Sequence, residues 1–171
     1  MPMIRFLAVA TTFVFSASAP CQEGGFTVAE APWNVEFQMA SAQVQMRNIK
    51  PGGKSAYFLL TRGDGLSISF FIEPVKDCGD AMACRDRVWQ SLQPKLQGPE
   101  QVSLSRMGDA YVIEFLLPKV GGAPVRQQNL YAEFVADGYW VDFHLSKGDY
   151  KPEDHSLFTD FVGSISFVSK P

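Results

Sequence analysis

Basic charge is in short supply in this chain. Fifteen Lys and Arg face eighteen Asp and Glu, a formal net charge of −3 over 171 residues. Nucleic acid needs a basic stripe to neutralise its phosphates, so the balance argues against such a partner. No run of like charges forms a tail. Beyond the N-terminal leader no apolar stretch approaches the roughly 20 residues that a membrane-spanning helix needs. The two histidines, His144 and His155, fall on different elements with no supporting cysteine pattern, which argues against zinc. G-x-S-x-G, H-E-x-x-H, P-loop and dinucleotide fingerprints are all missing, and no cofactor is expected. The pairs Gly52-Gly53 and Gly121-Gly122 are explained as turns. Arg62-Gly63-Asp64 spells an adhesion tripeptide, but turn chemistry accounts for its Gly and Asp.

What is present begins with a leader. Arg5 precedes a mostly apolar run, Phe6 to Phe15, broken only by Thr11-Thr12, and then comes the small-residue stretch Ser16-Ala17-Ser18-Ala19-Pro20-Cys21. The single positive charge, short apolar segment and small-residue exit predict a secretory signal peptide over residues 1–19 and an exported, periplasmic or secreted mature chain. Cleavage after Ala19 satisfies the A-x-A pattern but leaves Pro20 first, whereas cleavage after Ser18 avoids that. Either cut leaves Cys21 near the new N-terminus, where a bacterial lipoprotein would carry its acyl chains. That pattern wants a Leu-like residue three before the cysteine and Ala or Gly just before it, and here Ser18 and Pro20 stand there. A free or intermolecularly paired Cys21 is the preferred reading, with lipid anchoring as its alternative.

Removing the leader takes Arg5 and no acid, which brings the net charge to −4. About 150 residues remain, enough for one domain with its own core. The expected layout is a short linker over 20–29 and a single domain over 30–171. Cys78 and Cys84, with five residues between them, are most simply a local disulfide in an oxidising compartment. The rival is a redox pair at a helix N-terminus, but the spacing is not C-x-x-C.

Alternation and turn residues predict the elements. Trp33 to Phe37 and Gln43 to Asn48 are short strands, ending at Pro51-Gly52-Gly53. Ser55 to Arg62 and Leu66 to Glu73 form a hairpin around Gly63-Asp64-Gly65. From Asp80, which suits an N-cap, Ala81, Cys84, Val88 and Leu92 recur at helical spacing until Pro94, with Arg85, Asp86, Arg87, Gln90 and Gln93 on the opposite face. Trp89 reads as a packing residue at the helix edge. Strands follow at Gln101 to Ser105, Ala110 to Pro118, Val125 to Ala136 and Tyr139 to Ser146, the last two joined by Asp137-Gly138. Pro152, Glu153 and Asp154 open a second helix whose stripe is Leu157, Phe158, Phe161 and Val162 and which Gly163 stops. Ser164 to Phe167 alternates as a last strand. Consecutive hairpins with two helices and no β-α-β repetition predict an α+β fold: an antiparallel sheet of about six to seven strands packed with two main helices.

This order of elements resembles the PsbP-like α/β/α sandwich superfamily over most of residues 30–168. The segments that carry the likeness are Tyr57-Phe58-Leu59-Leu60 with Leu66 to Ile72, the helix, the meander ending in Trp140-Val141-Asp142-Phe143, and the final helix running into Phe161-Val162-Gly163-Ser164-Ile165-Ser166-Phe167. The superfamily includes an extrinsic photosystem subunit, a Ran-binding nuclear-import factor and bacterial envelope lipoproteins. The resemblance therefore implies a protein that binds partners and is not an enzyme. The Cys78 to Cys84 loop lies outside it.

The two-residue Asp137-Gly138 turn also predicts a register: Ala136 opposite Tyr139, Glu133 opposite Asp142 and Tyr131 opposite His144. One face, with Leu130, Ala132, Phe134, Val141, Phe143 and Leu145, is core. The other carries Tyr131, Glu133, Trp140, Asp142 and His144. Like charges directly across two strands repel, so Glu133 facing Asp142 needs solvent, a bound cation or a shared proton. One expectation is a wet or partly helix-covered face with His144 or a neighbouring Lys or Arg offsetting the carboxylates. The other is a small polar site, with the two acids as cation ligands or an acid/base pair and Trp140 as a wall. Two carboxylates fall short of the roughly six to eight oxygens calcium takes, and no metal is expected. The functional expectation is an exported, non-catalytic binding or accessory protein of the bacterial envelope or periplasm, acting on a protein partner, an envelope component or a ligand. Its alternatives are a small-molecule or cation-binding domain, enzymatic or not, on the Glu133/Asp142/His144 face, and a lipid-anchored envelope subunit through Cys21.

Overall fold

Two antiparallel sheets account for every strand in the computed structural model, which describes residues 26–171; the expected leader and Cys21 lie outside the described residues. β1 (Trp33–Glu36) pairs with β9 (Ser166–Ser169). The larger sheet holds β2 (Gln43–Ile49), β3 (Ala56–Thr61), β4 (Leu66–Pro74), β5 (Glu100–Met107), β6 (Ala110–Leu117), β7 (Gln127–Ala136) and β8 (Tyr139–Lys147), in the spatial order β2-β3-β4-β8-β7-β6-β5. The helices are α1 (Ala81–Leu92) and α2 (His155–Ser164). The fold is α+β, as expected. Two meanders, β2 to β4 and β5 to β8, meet where β8 lies against β4, so the central seam joins strands distant in sequence.

One face of the large sheet is the main core. Phe58, Phe70 and Phe143 stack in a line across β3, β4 and β8, with neighbouring ring centroids 4.7 Å apart. Over them lie β1, β9 and α2: Phe37, just after β1, and Phe161 of α2 both meet Phe143 edge-on, and Phe167 of β9 meets Phe134. All three stacked phenylalanines are fully buried, a burial that contributes about 1.5–3 kcal/mol per side chain. Residues 26–29, expected as linker, take part as well. Phe26 packs edge-on against Phe58 and Phe70, and Val28 is fully buried. Lys170 ties this segment to the C-terminus, its Nζ donating to the carbonyls of Val28, Ala29 and Ala31 at 2.9, 3.2 and 2.6 Å.

The opposite face is covered by α1 over β6 and β7. Asp80 caps the helix as predicted, its carboxylate accepting from the Ala83 N–H at 2.8 Å. The Cys78–Cys84 disulfide forms, and Cys84 is buried under the first turn. Trp89 packs against Phe115, ring centroids 6.0 Å apart, in the packing role read for it. Arg85 departs from its expected place on the solvent face. Its guanidinium lies 5.5 Å from the centre of the Tyr111 ring and its side chain is mostly covered. A long stem and a cation–π contact let arginine line a half-buried surface that polarity alone assigns to water. In α2 the buried residues are Phe158, Phe161 and Val162, and the helix ends at Ser164, one residue past Gly163. The Ser164 hydroxyl donates to the Phe161 carbonyl at 2.8 Å and accepts the Gln38 N–H at 2.9 Å.

Candidate functional site

The predicted β7–β8 register is the observed one. Asp137 and Gly138 both take left-handed φ values, 47° and 77°, as a tight two-residue hairpin turn needs. That turn sets Glu133 opposite Asp142, Tyr131 opposite His144 and Val135 opposite Trp140. On the α1 side of the sheet these residues form two rows. Arg106, Tyr111, Glu133, Asp142, Phe71 and Tyr57 run across β5, β6, β7, β8, β4 and β3. In the next row Ile113, Tyr131, His144 and Ser69 do the same on β6, β7, β8 and β4.

Glu133 has no exposed surface. Its Oε2 accepts the Trp140 indole N–H at 2.6 Å. Its Oε1 and the Oδ1 of Asp142 are sealed from solvent with no donor to meet them, while the two carboxyls lie within hydrogen-bonding reach of each other. Burial, and then the Asp142 charge, hold the Glu133 carboxyl well above the ordinary carboxylate range. Burial pushes Asp142 up to about 7, with the charge of Glu73 adding to the rise and the hydrogen bond from Glu133 opposing it. Tyr131 is raised by burial first and then by both acids.

His144 does not offset these charges. Its ring lies flat on Tyr131, centroids 4.2 Å apart, and Nε2 is 3.1 Å from Asn129 Oδ1. Asn129 Oδ1 accepts, so Nε2 carries the hydrogen. Burial lowers the imidazole to about 4, and the ring is neutral at pH 7. The five residues singled out in the sequence thus share a face but split into an acid pair with Trp140 and a neutral Tyr131–His144 stack. Among the described residues no set of three or more His, Cys, Asp or Glu is placed to hold a metal. Buried Asn129 was missed: the alternation of β7 puts it on the Tyr131 face, but nothing in the sequence shows that this part of the face is covered.

Beyond the acid pair the same face changes character. α1 does not extend across β3 and β4, where Phe71 stays 45 % exposed and meets Tyr57 with ring centroids 4.6 Å apart. The two rings line a cavity of about 280 Å³ that also takes in Asn48, Lys50 and Glu73. Phe71 is the cross-strand neighbour of Asp142, and Glu73 that of Trp140, so the cavity adjoins the acid pair along β4. A second hollow, of about 380 Å³, lies between Glu100 and Arg126 at the β5 end, away from all five residues. In the β3–β4 turn, Asp64 is held by its own neighbour: Arg62 Nε donates to Oδ1 at 2.9 Å, and this contact lowers the acid to about 2. The adhesion tripeptide is therefore a self-paired turn.

The chain matches no family model, and no curated protein matches its sequence. What defines it is an α+β domain with one local disulfide, no described helix long and apolar enough to cross a membrane, and a sheet face half covered by a helix.

Proposed function

We propose that this is an exported, non-catalytic binding protein of the PsbP-like kind, which holds a protein partner by an apolar side chain seated beside Tyr57 and Phe71. The observation that carries the reading is Phe71, a phenylalanine in the inner strand β4 left 45 % exposed at the wall of a cavity. Isolated exposed apolar residues are common. An aromatic pair beside a cavity, continuous with the exposed Met46 on β2, is the anatomy of an anchor site. At about 280 Å³ the cavity lies just under the range of enclosed small-molecule sites and suits one or two side chains.

The acid pair is the weaker candidate for ligand binding. Glu133 has no exposed surface, so a substrate or cation reaches it only by opening the sheet. Export is supported by the apolar leader with its small-residue exit and by the Cys78–Cys84 bond, which suits an oxidising compartment. Anchoring through Cys21 has only that residue's position to support it.

The test is site-specific photo-crosslinking in the exporting cell, with the photoreactive residue at Tyr57 or Met46 and, as a control, at exposed Asp160 on α2. The expected result is one protein captured from both sheet positions and not from Asp160, with capture lost on Phe71→Ser. Capture from Asp160 alone, or equal capture with and without Phe71, would refute the reading.

A further inference from the structure

Three explanations could let two carboxyls face each other across β7 and β8, and the structure removes two. Solvent does not suffice: Asp142 is half-buried, but Glu133 is fully buried and the facing oxygens, Glu133 Oε1 and Asp142 Oδ1, are sealed. A compensating cation fails on inspection of each neighbouring element. From β4 the nearest charge is Glu73, another acid, beside Trp140. On β6 the cross-strand neighbour is the phenol of Tyr111. The cations behind it are committed elsewhere: Arg85 on α1 pairs with Asp86, and Arg106 on β5 binds the Gly108 carbonyl and reaches toward Asp109. Arg87, also on α1, pairs with Asp77. On β7 and β8 themselves the neighbours are Tyr131 and neutral His144, whose Nε2 is turned to Asn129. No ion pair among the described residues includes Glu133 or Asp142.

We infer that Glu133 and Asp142 hold one proton between them, making a proton-dependent clasp that fastens β7 to β8 beneath α1. Trp140 fixes where the proton lies. An indole N–H can only donate, so Glu133 Oε2 must accept, and the carboxyl hydrogen is left to the Glu133 Oε1 and Asp142 side. There a single O–H supplies the donor that both orphaned oxygens lack. Loss of that proton places two carboxylates side by side in a site with no cation and little water, which opposes the pairing of the two strands. The clasp is independent of the binding reading, since its two facing oxygens are sealed and it needs no partner. Because Asp142 and Phe71 are cross-strand neighbours, its release acts next to the exposed aromatic pair.

The sign follows from proton counting. An unfolded chain has released these protons by about pH 5, while the folded pair retains one, so stability falls as pH rises until the pair lets go. The fall is read above pH 7, beyond the titration of His144 and below that of Tyr131.

The test uses the mature protein with 13C-labelled carboxyl groups in Asp and Glu. At pH 8 its infrared spectrum should contain one protonated-carboxyl stretch that shifts with the label, at a pH where every ordinary acid is ionised. The folding equilibrium constant, from urea titrations, should fall as pH rises above 7, by up to about tenfold per pH unit while the pair keeps its proton. Glu133→Gln should remove the band and flatten that slope, because its amide donates to the ionised Asp142 without a titrating proton. Absence of a label-sensitive band at pH 8 in the unsubstituted protein would overturn the inference, whether or not the variant folds.

Discussion

Trp140 donates its indole N–H to the fully buried Glu133 Oε2 at 2.6 Å, diagonally across β7 and β8. Removing a donor from a buried acceptor costs more than the bond itself contributes, because the acceptor is left without water. Trp140→Phe, which keeps a ring in place, should destabilise the fold by about 1–3 kcal/mol, read as a lower urea midpoint with an unchanged slope. If the variant loses nothing beyond a few tenths, Glu133 is satisfied by another route.

Acid should act through His144. The imidazole is lowered from 6.5 to about 4 by burial, so it is neutral when folded and charged when unfolded across that interval. Its contribution to stability is fully present above pH 6.5 and is lost as pH falls through about 4. His144→Gln keeps a donor for Asn129 and cannot take up a proton. Relative to this variant, the unsubstituted protein should lose about 3 kcal/mol between pH 7 and 4, measured by denaturant titration at each pH. A constant difference across that range would place the His144 titration at its ordinary value.

How much of this was legible in advance depends on how local each signal is. The β7–β8 register followed from Asp137-Gly138, because a two-residue turn leaves one pairing and the side-chain period of two then assigns every face. The five candidate residues were placed on one face by the same logic. The β4–β8 seam had no such turn, since α1 and three strands separate its partners, so the neighbours that give the site its context, Phe71 and Glu73, were invisible. Arg85 was misplaced because helical periodicity treats a guanidinium as a charge and ignores the stem and plane that lie over Tyr111. Whether His144 would serve the acids or stack on Tyr131 turned on side-chain orientation, which strand alternation leaves open.

The disulfide anchors α1 just after the Asp80 cap, and its loop is short. Closing so few residues limits the unfolded chain only modestly, a contribution of about 2 kcal/mol. The double variant Cys78→Ala with Cys84→Ala should lose that amount in urea and become indifferent to reductant, whereas the unsubstituted protein should fall to the variant's midpoint when reduced. Because α1 shields Glu133, the reduced protein should also exchange the β7 amides with deuterium faster. Unchanged exchange there would show that the helix stays seated by Trp89 and Phe115 alone.

Lys170 offers the sharpest test of how the segment 26–32 and the C-terminal strand depend on each other. Its ammonium meets the Val28, Ala29 and Ala31 carbonyls, and its own N–H reaches the Pro32 carbonyl at 2.9 Å, so one residue fastens the N-terminal segment beside the β1–β9 pair. Replacing it with Met keeps much of the apolar stem and removes every side-chain donor. Hydrogen bonds from a charged group contribute about 1.5–3 kcal/mol, and the carbonyls here can recover part of that from water, so Lys170→Met should cost about 2 kcal/mol. Because Phe26 and Val28 enter the core on this segment, the loss should also free residues 26–32, detected as faster amide exchange confined to them and to β9. A variant with full stability and unchanged exchange would mean that Val28 and the β1–β9 pairing hold the segment without the lysine.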